Sequence, residues 1–301
     1  MPAQRVEPLS PLENRDLHPS QSNAVTQRVW PALVRLSDER THGWGSAHLG
    51  VDCLQRLVSA PDVLLSGARI WLKNQPGHRV ALVDSESENA PGLWCCKETL
   101  SRSWWVRFVT SWGSFRAHNA FHQGFALLRA QVNTPQPLAV MAITRYGTYC
   151  EYLLTDAIPA AISLQKWVSS NSPSRSVEGF RQRCEITRQL GLQLQRLHRS
   201  GFDHRDLKPT NILLSQVSSN PRVWLIDLDG VWHWPWLPSL RRVQNLARLW
   251  AGVVQTRSVS PTDALRLLFA YLTPKQRRGW KPLWRQIARR SATKISQQRT
   301  R

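Results

Sequence analysis

Between Val63 and Lys97 apolar and polar residues alternate in short runs, Ala68–Lys73, Arg79–Val83 and Leu93–Lys97, separated by turn-forming residues. Successive side chains on a strand point to opposite faces, so this period of two predicts an antiparallel sheet. The period then changes. Phe115 to Val132 carries apolar residues at 117, 121, 124/125, 128 and 132, the stripe of an amphipathic helix, and Asn133-Thr-Pro-Gln-Pro137 stops it. Pro137–Ile143 and Tyr149–Thr155 read as two further strands around an Arg-Tyr-Gly turn, with Thr155-Asp156-Ala157 as a hinge. Gly179–Ser200 predicts a second helix, with Phe180, Cys184, Thr187, Leu190, Leu194 and Leu197 on one stripe and Gly201 as its C-terminal cap.

Immediately after that helix comes His204-Arg-Asp-Leu-Lys-Pro-Thr-Asn211, then apolar Ile212–Leu214, a polar turn over Ser215–Arg222, and Val223-Trp-Leu-Ile-Asp-Leu-Asp229. The two apolar runs predict a hairpin whose one end brings Asn211 and Asp227 together. Phosphoryl transfer of the protein-kinase type asks for such a set: an Asp that accepts the acceptor hydroxyl's proton, and an Asn and a second Asp that hold magnesium. Asp206 fits the first role, with Lys208 beside it to reach the transferring group. Asn211 and Asp227 fit the second, because Mg²⁺ takes only one or two protein oxygens and keeps its remaining sites for water and phosphate. Lone His-x-Asp or Ile-Asp-Leu-Asp patterns are ordinary turn and core features. Their joint occurrence at these offsets is what points to the chemistry.

In such an enzyme a strand of the sheet presents a lysine to the α- and β-phosphates, and Lys97, at the end of its predicted strand, takes that place. The alternative is a solvated edge charge. The partner Glu that kinases carry on the following helix is missing, since no acidic residue occurs between Glu98 and Glu151. His122 and Gln123 are the candidates on that helix. No G-x-G-x-x-G loop is present, and Ser66-Gly67 is the nearest substitute. Arg205 suits either a phosphate on a regulatory loop or a structural tie.

The chain has 301 residues, 42% of them hydrophobic, enough for one large core or two lobes. It has no apolar run long enough to span a bilayer, and Met1–Asp16 has no signal-peptide core, which predicts a cytoplasmic protein. Residues 1–25 read as a disordered tail, 26–155 as an N-lobe that binds nucleotide, and 156–301 as a C-lobe. The five scattered cysteines fit reduced fillers rather than disulfides or a zinc site. Forty Lys and Arg against twenty Asp and Glu give a net charge of +20, which calls for anionic partners: nucleotide, a phosphorylated glycan, an acidic membrane face or nucleic acid. Pro274–Arg301 holds ten Lys and Arg and no acid, with Trp280, Leu283, Trp284 and Ile287 on one helical face. That face either inserts at a membrane interface or packs on the C-lobe. In both cases Arg285, Arg289 and Arg290 favour peripheral contact with an anionic leaflet.

Only about 70 residues follow Asp227 and Ala-Pro-Glu is absent, which favours a small or glycan acceptor over a protein. The chain resembles the lipopolysaccharide kinase family, the Kdo/WaaP-like or InaA-related kinases, through Asn133–Ala139, Glu151–Asp156, Leu197–Asp206 and Trp224–Val231. The similarity runs over roughly residues 60–295. It implies an α+β, two-lobed protein-kinase-like fold, with an antiparallel-sheet N-lobe and a short, mainly helical C-lobe. It also implies ATP- and Mg²⁺-dependent phosphorylation of a lipopolysaccharide-core sugar or related, lipid-linked glycan, with no specific nucleic acid partner. Carried over by motif, Asp206 is the catalytic base, with Lys208 beside it. Asn211 and Asp227 are metal ligands, Lys97 contacts phosphate, and Asp156 and Ala157 form the hinge against the nucleotide. The alternatives are a small serine/threonine protein kinase and a pseudokinase that binds a membrane or partner.

Overall fold

The computed structural model describes residues 32–299 apart from 39–40, 86, 88, 90–91, 102–115, 146–147, 171–175, 218–219 and 257. The expected tail at 1–25, Phe115 and most of the Arg-Tyr-Gly turn lie outside the described residues. Of those described, the residues up to Phe121 together with Pro137–Ala157 form one compact unit, and His122–Gln136 with the residues from Ile158 onward form a second.

The first unit runs β1 (Leu33–Ser37), β2 (Thr41–Ser46), α1 (Val51–Ser59), the single turn α2 (Val63–Ser66), β3 (Ala68–Gln75), β4 (His78–Asp84), β5 (Leu93–Ser101), the first turn of α3 (Arg116–Arg129), β6 (Pro137–Arg145) and β7 (Thr148–Asp156). The strands form a seven-stranded antiparallel sheet in the order β1-β2-β6-β7-β5-β4-β3. Trp94, Cys96, Met141, Tyr152 and Leu154 on one face of the sheet join Leu54, Leu57 and Leu65 of α1 and α2 in a buried cluster. β2 carries no hydrophobic alternation, because Thr41–Ser46 (THGWGS) has two glycines in place of an apolar stripe. A Cβ on Gly43 would meet the Val140 carbonyl oxygen at 2.0 Å, so close backbone approach to β6 is what demands glycine there.

Lys97 lies in the middle of β5 and not at its end, opposite Val80 and Leu153. The strand continues through Glu98, which is 2% exposed on the core face. A buried carboxylate needs partners. Glu98 has two bonds from Arg79, one of them Nη2 to Oε1 at 2.6 Å, and one from the Tyr152 hydroxyl at 2.9 Å. Burial pushes its carboxyl up in pKa, and these donors outweigh burial and hold it below the ordinary value. The cysteines are free thiols, and burial pushes Cys95 up to about 11.

The second unit contains the rest of α3, then β8 (Ile162–Ser163), α4 (Leu164–Ser170), α5 (Val177–Arg199), β9 (Phe202–His204), β10 (Ile212–Ser215), β11 (Arg222–Leu225), β12 (Val231–His233), α6 (Ser239–Val254), α7 (Pro261–Tyr271) and α8 (Trp280–Arg299). The Ser176 hydroxyl caps α5 by accepting from the Gly179 N–H at 3.1 Å, and the chain leaves the helix through Gly201 at φ +82°. The buried stripe of α5 begins further along than its sequence pattern suggests. It comprises Ile186, Leu190, Leu194 and Leu197, whereas Phe180 is exposed beneath the Arg266 guanidinium. Gly191 lets α5 and α7 touch, since a Cβ there would lie 2.6 Å from the Leu267 carbonyl oxygen. On α8, Ile287 is buried, Trp284 packs edge-on to Trp250 at 5.3 Å, and Trp280 lies 5.9 Å from Phe269. The apolar face of this basic helix is therefore spent inside the unit, and its exposed arginines remain. No helix among the described residues is long and apolar enough to cross a membrane.

Candidate active site

All three residues of β9 are buried, and the Leu207 N–H closes a turn onto the His204 carbonyl at 3.0 Å. Leu207 is fully buried, so the loop is pinned at its centre while Asp206 and Lys208 on either side stay 46% exposed. The Lys208 ammonium donates to Asp206 Oδ2 at 2.6 Å. Pro209 opens a single 3-10 turn that delivers Asn211 to the head of β10. β10 and β11 pair from Ile212 opposite Leu225 to Ser215 opposite Arg222, and the Ile226 N–H donates to the Asn211 carbonyl at 3.0 Å. Asp227 comes next. The Asn211 amide nitrogen accordingly lies 3.1 Å from Asp206 Oδ2 and 3.3 Å from Asp227 Oδ2. It also donates to the Asp206 backbone carbonyl at 2.9 Å.

Asp227 adopts φ 63°, ψ 59°, the left-handed region that Asp tolerates better than most residues. Its neighbour across the loop is His204, whose Nε2 donates to the Ile226 carbonyl at 3.1 Å. Burial lowers the His204 pKa, with the Ile226 bond and the charges of Asp227 and Asp206 opposing. The ring is thus a neutral strut between the loop and the strand that carries Asp227.

Two features of this frame were hidden in the sequence. β9 pairs with β12, His204 opposite Val231, which closes the loop into a small two-stranded sheet. Asn245, fully buried on α6, accepts from the His204 N–H at 3.0 Å and donates to Asp203 Oδ1 at 2.6 Å. Arg241, one turn earlier, sits 3.8 Å from Asp203 Oδ2. A lone Asn about forty residues downstream carries no local signal. Only the packing of α6 onto the loop reveals it.

The Asn211 side-chain oxygen and the Asp227 carboxylate are hard oxygen donors of the kind Mg²⁺ takes. Among the described residues no group of three or more His, Cys, Asp or Glu is arranged to hold a metal. Two oxygens of this kind fit a cation that arrives with phosphate ligands of its own.

In the first unit, Lys97 shares a face of the sheet with Leu153 directly opposite, and so with Glu151 two residues along β7. Diagonal neighbours of this kind are within reach of long side chains. Glu151 is 7% exposed and accepts from the Ala117 N–H at 2.9 Å in the first turn of α3. Glu151 thus places a carboxylate on the sheet face of Lys97, against the N-terminus of α3. Asp156 ends β7, and the Ala157 N–H is committed to the Leu93 carbonyl at 3.0 Å.

Residues 96–271 match the family model "Lipopolysaccharide kinase (Kdo/WaaP) family". A 3-deoxy-D-manno-octulosonic acid kinase of Xylella fastidiosa is 33% identical over 148 residues, 47% of this chain and 53% of that protein. One of Vibrio vulnificus is 30% identical over 119 residues, 40% of this chain and 45% of that protein. The chain thus spans about half the length of the curated relatives it matches. Among solved structures, WaaP in complex with acyl carrier protein matches with a TM-score of 0.55 at 17% identity, covering 77% of this chain and 91% of that one. That likeness shows a shared, protein-kinase-like fold.

Proposed function

Because the chain belongs to the lipopolysaccharide kinase (Kdo/WaaP) family, we propose that it transfers the γ-phosphoryl group of ATP to a hydroxyl of a lipopolysaccharide-core sugar or related glycan. The observation that carries this reading is the Asn211 amide held between the Asp206 and Asp227 carboxylates. It unites in one hydrogen-bonded cluster the base and the two metal ligands that the chemistry requires. Asp206, half-exposed at the turn, orients the acceptor hydroxyl and takes its proton. Lys208 holds that carboxylate and offers its ammonium to the charge that develops on the transferring group. Mg²⁺ on Asn211 and Asp227 would supply neutralisation of the phosphate oxygens. Lys97 contacts the nucleotide phosphates, and Glu151 replaces the helix Glu as the carboxylate that orients it. Asp156 and Ala157 form the hinge beside the nucleotide, through backbone groups other than the Ala157 N–H.

The acceptor class is supported by the relatives, which are named as kinases of an acidic octulose. The test is phosphate transfer from labelled ATP to 3-deoxy-D-manno-octulosonic acid and to a generic serine peptide. Labelling of the sugar alone supports the reading. Labelling of the peptide or of the protein itself would favour a serine/threonine kinase, and no ATP turnover a pseudokinase. Work at the cytoplasmic membrane face is part of the proposal. It rests on the exposed basic face of α8, where Lys281, Arg285 and Arg289 point to solvent.

A further inference from the structure

Between helices α6 and α8 lies a cleft of about 380 Å³, open to solvent on one side and lined by Arg241, Gln244, Arg248, Arg290, Thr293 and Lys294. Its volume lies within the range of small-ligand sites, about 300–1,000 Å³. Four cations line it, and gathering like charges is unfavourable unless an anion completes the set. Arg241 has Asp203 at 3.8 Å, while no carboxylate among the described residues pairs with Arg248, Arg290 or Lys294. Burial and the neighbouring Arg248 both lower the Lys294 pKa, and the charge of Asp206 opposes them.

Its position follows from the same helix that holds the loop. Arg241 and Arg248 fall four residues before and three after Asn245, on the α6 stripe that bonds Asp203 and His204. One turn further, a Cβ on Gly252 would lie 2.4 Å from Pro209 Cδ, so α6 runs in contact with the loop on both sides of Asp206. Guanidinium forks match the planar or tetrahedral oxygens of carboxylate and phosphate, and an ammonium adds a mobile point charge.

We propose that this cavity is the acceptor's anchor: it binds a carboxylate or phosphate carried by the sugar and so presents a neighbouring hydroxyl to Asp206. The proposal rests on the kinase reading for its purpose but not for its measurement. Titrate the full chain, without ATP, with 3-deoxy-D-manno-octulosonic acid, with its methyl ester, which keeps every hydroxyl and loses the charge, and with inorganic phosphate. Use the wild type, the exposed-site variant Arg290→Gln and the double variant Arg248→Gln/Arg290→Gln. The acid should bind roughly tenfold or more tightly than the ester, the worth of one charge-assisted hydrogen bond, and the double variant should erase the difference. Binding of phosphate but not of the acid would assign the anchor to a phosphorylated glycan. Equal binding of acid and ester, anion binding unchanged in both variants, or no anion binding at millimolar concentration overturns the proposal.

A second arm separates the two ideas. With ATP present, the substitutions should raise the acceptor KM and leave acceptor-free ATP hydrolysis unchanged. Charge-dependent binding without transfer would keep the anchor and remove the kinase reading. Transfer with equal KM for acid and ester in every variant would do the reverse.

Discussion

Asn245 donates to the buried carboxylate of Asp203 at 2.6 Å and accepts from the His204 N–H, so one amide on α6 fixes the strand that leads into the loop carrying Asp206. Asn245→Ala strands both groups in a dry interior. It should destabilise the protein by about 2–3 kcal/mol, the cost of leaving buried polar groups unpaired. It should also lower turnover at temperatures where the variant is still folded. Urea denaturation and a rate assay on the same samples would show it. A variant as stable as the wild type would mean that the loop is held elsewhere.

Asp206→Asn and Asp227→Asn change charge without changing volume, and Asn tolerates the left-handed backbone at position 227. Each should reduce phosphoryl transfer on the order of 100-fold or more with unchanged unfolding curves. Near-normal turnover of Asp227→Asn in Mg²⁺ would remove the metal assignment.

Lys97→Met should weaken turnover far more than any single substitution on α3, because that helix supplies no acid. Glu151→Gln tests the replacement partner: it should raise the KM for ATP or lower kcat, whereas a merely structural Glu151 would shift only the unfolding midpoint. A fully active Lys97→Met would move the nucleotide lysine elsewhere, with Lys73 the next candidate.

His198 and His204 are both buried, His198 beside the Tyr271 hydroxyl at 3.0 Å. Burial pushes the His198 pKa down to about 3 and lowers that of His204 as well. Between the ordinary value near 6.5 and these lowered values the unfolded chain binds protons that the folded one refuses. Stability is therefore full above about pH 6.5 and falls below it by roughly 1.4 kcal/mol per histidine per pH unit. Below the ordinary carboxylate range the depressed Glu98 adds to the loss. Denaturation midpoints at pH 7.5, 6.5 and 5.5 should fall in that order. A flat profile would show that the two rings charge in place.

Arg285 and Arg289 project from a helix whose tryptophans are already packed, so any membrane contact is electrostatic. Co-sedimentation with anionic vesicles should be lost at high salt and on replacing both arginines with glutamine, and neutral vesicles should not bind. Arg290 is left out of that pair because it lines the cavity beside α6. Equal partitioning to neutral vesicles would exclude the electrostatic account.

The sequence by itself determined the local elements that bring the candidate site residues together. Asp206, Lys208, Asn211 and Asp227 are placed by a turn and a hairpin, and both are short-range structures whose register is set by neighbouring residues. The same holds for α5 and for strands β3 to β7, where alternation and caps act within a few residues. Where the determinant is contact between distant segments, the sequence was mute. β2 forms because glycines let it approach β6, and β5 continues past Lys97 because Arg79 neutralises the buried Glu98 and Tyr152 donates to it. Glu151 reaches the face of Lys97 through strand order, and Asn245 reaches His204 across 41 residues. The basic cavity depends on α6 and α8 lying side by side, and the same packing, through Trp250 and Trp284, withdrew the apolar face of α8 from solvent. Periodicity shows which residues can be buried together on one element. Which partner an element meets is decided by the close packing of the whole chain, and only the tertiary structure shows it.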